Sequence, residues 1–125
     1  MNWTIQGEGH GDAGVYTAEH LQAGLVALLQ RTGALAGLDP YRDIVVGPES
    51  HGEVIRRLAA AEAERRVELA RGAMGDVNLA ALSDWQSTWL DQLVARDEWA
   101  LHVQELRALF ELASELGRPV RMWGD

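Results

Sequence analysis

The stretch VNLAALSDWQSTWLDQLVARDEWALHVQELRALFELASEL, residues 77–116, contains neither Gly nor Pro and decides the fold class. Its apolar side chains recur at helical spacing, at Leu82, Trp85, Trp89 and Leu93 and again at Trp99, Val103, Leu106, Phe110 and Ala113. One long helix and two shorter ones both fit this periodicity. We predict two helices that meet near Arg96-Asp97, because a single helix would far exceed ordinary lengths and Asp97 can cap a second one.

The residues that follow this stretch predict a helix end and a strand. Gly117 is placed to act as the C-cap of the last helix. After Pro119, apolar and polar side chains alternate over residues 120–123. The chain is therefore predicted to close with an edge strand.

The residues before the stretch predict two strands and two helices. The strands fall at residues 2–6 and 44–46, and the helices at 18–32 and 53–74. Thr17 is the candidate N-cap of the first helix, and Gly72 and Gly75 are placed to end the second. The continuous β-branched run at 44–46 is typical of a central strand that is buried on both faces.

These elements together predict an α-rich α+β fold in one domain that spans residues 1–125. Its predicted core is a small three-stranded mixed sheet packed with about four helices, in the order β-α-β-α-α-α-β. The first βαβ unit is expected to be parallel and right-handed. A chain of 125 residues that is 47% hydrophobic suffices for one such core.

Composition and charge restrict the classes of partner. The formal net charge is -8, which disfavours binding to nucleic acid or anionic lipid and predicts a basic protein partner. We see no apolar run long enough to span a bilayer and no secretory signal, so a cytoplasmic location is expected. The basic residues are all Arg and there is no Cys, which excludes disulfides and suggests a GC-rich genome of a bacterium or its phage.

A glycine-rich segment and four histidines are the candidates for small-ligand chemistry. Residues 9–14 match G-x-G-x-x-G between a predicted strand and a predicted helix, but Glu8 and Asp12 beside it would repel a phosphate. Two pairs of candidate metal ligands lie in predicted loops: His10 with Asp12, and His51 with Glu53. The best helical arrangement is Glu98, His102 and Glu105, at i, i+4 and i+7. No metal or cofactor is predicted, because each of these patterns also arises without ligand binding.

Tryptophan and arginine are the other residue types that stand out. Trp85 and Trp89 lie one helical turn apart and predict a stacked ridge. We expect Trp89 and Trp99 to be mainly structural, and Trp85 and Trp123 to reach the surface. The five Arg between residues 56 and 71 are expected to pair with neighbouring Glu on the same helix, Glu62 among them, and not to form a phosphate-binding face.

Three hypotheses of function remain open at this point. The first is a non-enzymatic acidic inhibitor, of the immunity-protein, antitoxin or phage-encoded type, that covers a basic surface of a nuclease, toxin or nucleic-acid-handling complex. Its predicted contact residues are Glu8, Asp12, Asp84, Trp85, Asp91 and Glu98. The second is a small enzyme that binds a metal or phosphate ligand through the glycine-rich segment and histidines. The third is a homo-oligomeric structural protein such as a homodimer.

Overall fold

The computed structural model describes residues 1–7 and 14–124, which contain four strands and four helices. The strands are β1 (Asn2–Ile5), β2 (Gly14–Tyr16), β3 (Ile44–Val46) and β4 (Val120–Trp123). The helices are α1 (Glu19–Leu29), α2 (His51–Met74), α3 (Asp84–Arg96) and α4 (Glu98–Leu116). The α-rich α+β class predicted from the sequence is confirmed.

The sheet is antiparallel throughout, with the strand order β2-β1-β4-β3. The prediction of three strands in a mixed sheet is therefore wrong. Because β4 lies between β1 and β3, these two strands are not neighbours and the predicted parallel βαβ unit does not form. Strand β2 was missed because Gly14–Tyr16 is too short a run to show alternation.

The predicted positions of β3 and β4 in the sheet are reversed: β3 was expected in the centre and β4 at the edge. β4 forms hydrogen bonds with strands on both sides, whereas β3 lies at the edge of the sheet. Val45 is 52% exposed, so the β-branched run is not buried on both faces. Such a run indicates that a segment suits a strand, and the position of that strand in the sheet depends on distant pairing partners.

The first two helices differ from prediction mainly at their ends. α1 begins after Ala18, which is the N-cap without a side-chain hydrogen bond, and Thr17 is instead fully buried. The helix is also shorter than the predicted 18–32. α2 begins at His51 and ends at Met74, and its C-cap is Gly75, whose φ of 73° is readily available to glycine. Gly72 lies inside this helix and does not end it.

The prediction of two helices within residues 77–116 is confirmed. Asp97 separates them, since its extended backbone ends α3 and its side chain accepts a hydrogen bond from Ala100 N at 2.9 Å in the first turn of α4. Gly117 ends α4 in the left-handed region at φ 64°, as expected of a C-cap glycine. Both boundaries follow from local interactions that a sequence displays directly.

The main core lies between one face of the sheet and the helices α1, α2 and α4. Trp3 of β1 and Phe110 of α4 are both fully buried and make an edge-to-face contact with ring centroids 6.0 Å apart. Their neighbours in this core include Leu25, Leu29, Val54, Leu58, Leu106, Val120 and Met122. No residue of α3 belongs to this cluster within the described chain, so α3 is attached to the outside of the core.

Candidate protein-binding surface

Helix α3 is well defined by its caps but contributes little to the interior. Ser83 and Gln86 form a capping box, in which the Ser83 side chain accepts from Gln86 N and the Gln86 side chain accepts from Ser83 N. Leu90 is the one fully buried side chain of this helix. Most of the remaining surface of α3 is consequently available to solvent or to a partner.

Two stacked indoles occupy this available surface. The ring centroids of Trp85 and Trp89 are 5.9 Å apart and the ring planes differ by 18°, which confirms the predicted ridge. Trp85 is 65% exposed and Trp89 is 36% exposed. The expectation that Trp89 is mainly structural is therefore wrong, because α3 packs through the side that carries Leu90. Trp99 is half-buried and packs against the core, beside Gly24 of α1.

The acidic residues predicted to surround the ridge have different environments. Asp84 is exposed in the first turn of α3, and its carboxylate makes no ion pair within the described residues. Asp91 is paired with Arg66 of α2 at 2.9 Å. Glu98 lies on α4 and contacts His20 of α1 at 2.7 Å. Of the predicted acids within the described residues, Asp84 is therefore the one without a cation, while Glu8 and Asp12 lie outside them.

Two of the five arginines of α2, Arg65 and Arg66, form ion pairs within the described residues, and mainly with acids outside α2. The predicted pairing with Glu on the same helix is therefore wrong for most of them. Arg65 donates two hydrogen bonds to the Asp97 carboxylate, at 2.9 and 2.7 Å, and a third to Glu68 at 3.0 Å. These bonds raise the pKa of Arg65, and the hydrogen bonds from Arg65 lower the pKa of Asp97. The junction of α3 and α4 is thereby fixed to the middle of α2.

The predicted pairing of Glu62 with its neighbours on α2 is wrong. Glu62 instead forms an ion pair with Arg107 of α4 at 2.8 Å and accepts a hydrogen bond from Gln104 at 3.1 Å. Glu62 faces α4 because α2 and α4 pack against each other along much of their length. Periodicity along one helix does not reveal which acids face a neighbouring helix.

The histidines have structural surroundings where the chain is described. His102 is buried in a chain of hydrogen bonds in which Trp3 Nε1 donates to Thr17 Oγ1 at 3.0 Å and Thr17 Oγ1 lies 2.8 Å from His102 Nε2. Burial lowers the pKa of His102, against the opposing effect of Glu105. His51 donates from Nε2 to the carbonyl of Val46 at 3.0 Å and contacts the edge of Phe110.

The helical arrangement of Glu98, His102 and Glu105 does not come together as a metal site. His102 turns inward, whereas both glutamates are exposed. Within residues 1–7 and 14–124, no three His, Asp or Glu side chains are placed to hold a metal ion. His10 and the match to G-x-G-x-x-G fall on residues 8–13, apart from Gly14, and so lie outside the described part.

Trp123 reaches the surface as predicted, but on the sheet. It is 41% exposed on β4, with the Arg121 guanidinium 3.5 Å from its ring centroid and with Nε1 donating to Thr4 Oγ1 at 3.2 Å. Arg121 also pairs with Asp43, whose pKa is lowered by a backbone hydrogen bond from Gly124 and by Arg121 itself. Trp123 therefore belongs to a compact stacked arrangement of its own and not to the α3 ridge.

No family model matches the chain, and no curated protein or solved structure is significantly similar to it. Function is therefore inferred from the side chains themselves. One further general property is that, among the described helices, none is long and apolar enough to cross a membrane.

A cavity of about 400 Å³ lies between α1 and Tyr41 and provides a comparison with the α3 surface. Its lining residues are Glu19, Gln22, Ala23, Val26, Ala27, Gln30, Pro40 and Tyr41. They supply one carboxylate and no histidine, and none of them is a predicted site residue. The exposed indole pair, unlike this cavity, has the chemistry of a protein contact.

Proposed function

We propose that this protein is a non-enzymatic acidic binding protein that covers a basic surface of a nuclease, toxin or nucleic-acid-handling complex, in the manner of an immunity protein, antitoxin or phage-encoded inhibitor. The contact surface is centred on Trp85 and Trp89 and extends to Asp84 in the first turn of the same helix. The observation that carries the proposal is the exposure of both stacked indoles on a helix that adds one buried side chain to the interior.

Burial of the exposed indoles by a partner would contribute a large favourable free energy of binding. A tryptophan buries roughly 150–250 Å² when it is covered, and Trp85 is 65% exposed. Covering that exposed fraction would contribute about 3 kcal/mol of hydrophobic free energy. Because Trp85 and Trp89 are already stacked, little further side-chain order is lost on binding.

Charge supports a basic partner. The net charge of -8 attracts a positive surface at long range and raises the association rate. On α3, Asp91 is paired with Arg66, whereas the Asp84 carboxylate has no cation of its own among the described residues. A Lys or Arg of the partner could therefore pair with Asp84 without displacing an existing ion pair.

Affinity capture from the native host with matched variants tests the proposal. The wild-type chain is expected to retain a protein with a basic surface, and Trp85→Ala/Trp89→Ala is expected to lose it. Tyr41→Ala is the control, because Tyr41 is another aromatic side chain, 73% exposed, on a different surface. Equal retention by the double variant, or an acidic captured protein, would contradict the proposal.

Kinetics with the purified partner test the role of charge. The association rate is expected to fall as salt concentration rises, because screening shortens the reach of the acidic surface. An association rate that does not change with salt would remove the electrostatic part of the proposal.

The same exposed pair also favours the homo-oligomer as a second candidate. Two copies could bury their indoles against each other, because hydrophobic surfaces of this kind are common at interfaces between subunits. Light scattering at two protein concentrations distinguishes the cases. A concentration-dependent dimer that Trp85→Ala/Trp89→Ala dissociates would replace the inhibitor proposal.

A further inference from the structure

Helix α4 is apolar on two opposite faces. Its inner face packs into the core through Val103, Leu106, Phe110 and Ala113, which are all fully buried. A second set of apolar side chains points away from the core; it consists of Leu101, Ala108, Leu112 and Leu116 and is called the outer leucine stripe here. Its three leucines are 39–40% exposed. An ordinary surface helix needs one apolar face, so the second requires an explanation.

The outer leucine stripe runs along the exposed side of the helix and is interrupted by Glu105. At 100° per residue, its four members fall within about 80° of arc, and Leu101 and Leu112 are separated by about 16 Å along the axis. Its first three members lie at i, i+7 and i+11, a spacing found in helices that pack lengthwise against another helix, and Glu105 occupies the i+4 position. The leucines remain 39–40% exposed, which shows that no described helix of this chain packs along the outer leucine stripe.

Acidic side chains lie within the stripe and beside it. At 100° per residue around the axis, Glu98 and Glu105 fall inside the arc of the stripe and Glu115 lies about 20° outside it, and all three are exposed. Glu105 and Glu115 make no ion pair within the described residues. The one cationic side chain of α4, Arg107, is occupied by Glu62 and Glu111. The face therefore combines apolar contacts with uncompensated negative charge.

We propose that the outer leucine stripe is a docking site for an amphipathic helix of a protein partner, whose apolar side chains are flanked by Lys or Arg. The leucines would pack against the apolar side chains, and Glu105 and Glu115, which lie among and next to the leucines, would pair with the cations. A second copy of this chain fits poorly, because it would place glutamates against glutamates. Anionic lipid and nucleic acid are disfavoured by the same charge.

This inference goes beyond the proposed function and does not depend on Trp85 or Trp89. Those residues lie on α3, and the outer leucine stripe lies on α4. The two surfaces can therefore be tested separately, and the failure of one leaves the other standing.

The probe is a synthetic helical peptide with Leu along one face and Lys at the flanking positions, of a length that matches α4. Titrated into the isotopically labelled full chain, it is expected to shift backbone amide resonances of α4 around the outer leucine stripe. A matched peptide with Glu in place of Lys is expected not to bind. The variant Trp85→Ala/Trp89→Ala should bind the Lys peptide as well as the wild-type chain does.

Substitutions in the stripe identify the contacts. Leu101→Ser/Leu112→Ser is expected to weaken Lys-peptide binding by about tenfold or more, while Leu79→Ser, at an exposed leucine outside α4, leaves it unchanged. Glu105→Gln/Glu115→Gln should weaken binding and reduce its salt dependence, with Glu64→Gln on α2 as the control. Circular dichroism verifies that each variant is folded.

Three results would overturn the proposal: unchanged binding by the leucine double variant, resonance shifts that lie away from α4, or no binding of the Lys peptide. Self-association of the wild-type chain through α4 would overturn it as well, because the occupant would then be a second copy.

Discussion

Replacing Asp97 with Ala should destabilise the protein more than any change at an exposed acid. The substitution removes the N-cap bond to Ala100 N, which is worth about 1 kcal/mol, and two charge-assisted hydrogen bonds from Arg65, which are worth about 2 kcal/mol together. Asp97 is 13% exposed and Arg65 is 33% exposed, so solvent screens the pair only partly. We expect the free energy of unfolding to fall by about 3 kcal/mol.

Urea unfolding of three variants separates the two contributions. Asp97→Asn keeps an acceptor for the cap but loses the charge, so its loss should be about half that of Asp97→Ala. Asp84→Asn is the control and should change stability by less than about 1 kcal/mol, because Asp84 is exposed and unpaired among the described residues. If Asp97→Ala is no more destabilising than Asp84→Asn, the assigned role of Asp97 is refuted.

The dependence on pH gives an independent check of the same reasoning. Hydrogen bonds from Arg65 hold the pKa of Asp97 below its ordinary value, so the folded state favours the ionised carboxyl. Its contribution is complete above the unfolded pKa of about 3.9 and is lost as pH falls through the lower folded value. The stability difference between the wild-type chain and Asp97→Asn should therefore shrink in acid, and a difference that stays constant down to low pH would contradict the argument.

Three further predictions concern the interior and the backbone. Thr17→Val should lower the free energy of unfolding by about 2 kcal/mol in urea titrations, because it leaves Trp3 Nε1 and the His102 ring without their buried partner. Burial lowers the pKa of His102, so the folded state favours the neutral ring. The stability that the neutral ring contributes is complete above pH of about 6.5, the unfolded pKa, and is lost as pH falls toward the folded pKa. His102→Asn should remove this pH dependence from urea unfolding. Thermal melts should show that Gly117→Ala destabilises by about 1 kcal/mol, because φ is 64° there, whereas Gly72→Ala stabilises by roughly 0.5–1 kcal/mol in open space inside α2.

Features that depend on neighbouring residues in the chain could be predicted from the sequence. The break at Asp97 and the cap at Gly117 follow from one side chain and one backbone conformation, and the ridge of Trp85 and Trp89 follows from a spacing of one turn. The order of the strands could not be predicted in this way. β4 pairs with β1 from the opposite end of the chain, and nothing within residues 120–123 specifies that partner.

The exposure of particular aromatic and acidic side chains was the least predictable feature. Trp89 was expected inside because indoles dominate small cores, but α3 meets the rest of the molecule through Leu90. Asp91 and Glu98 were expected to be available to a partner, yet both have basic neighbours on other helices, Arg66 and His20. Each outcome depends on how helices pack, which the periodicity of a single helix does not contain.

Helix α4 shows how this limit bears on function. The spacing of Val103, Leu106 and Phe110 correctly predicts an apolar helix face. Leucine is frequent around the whole helix, however, so spacing alone does not distinguish the face that packs into the core from a face that remains exposed. Tertiary packing determines which face is buried: one side of α4 packs against α2 and the sheet, and Leu101 and Leu112 remain exposed. Under the docking proposal, Glu105 and Glu115 on this exposed side favour a basic helix over a second copy. The two proposals share one premise, that acidic side chains select a basic partner while exposed apolar side chains supply the contact.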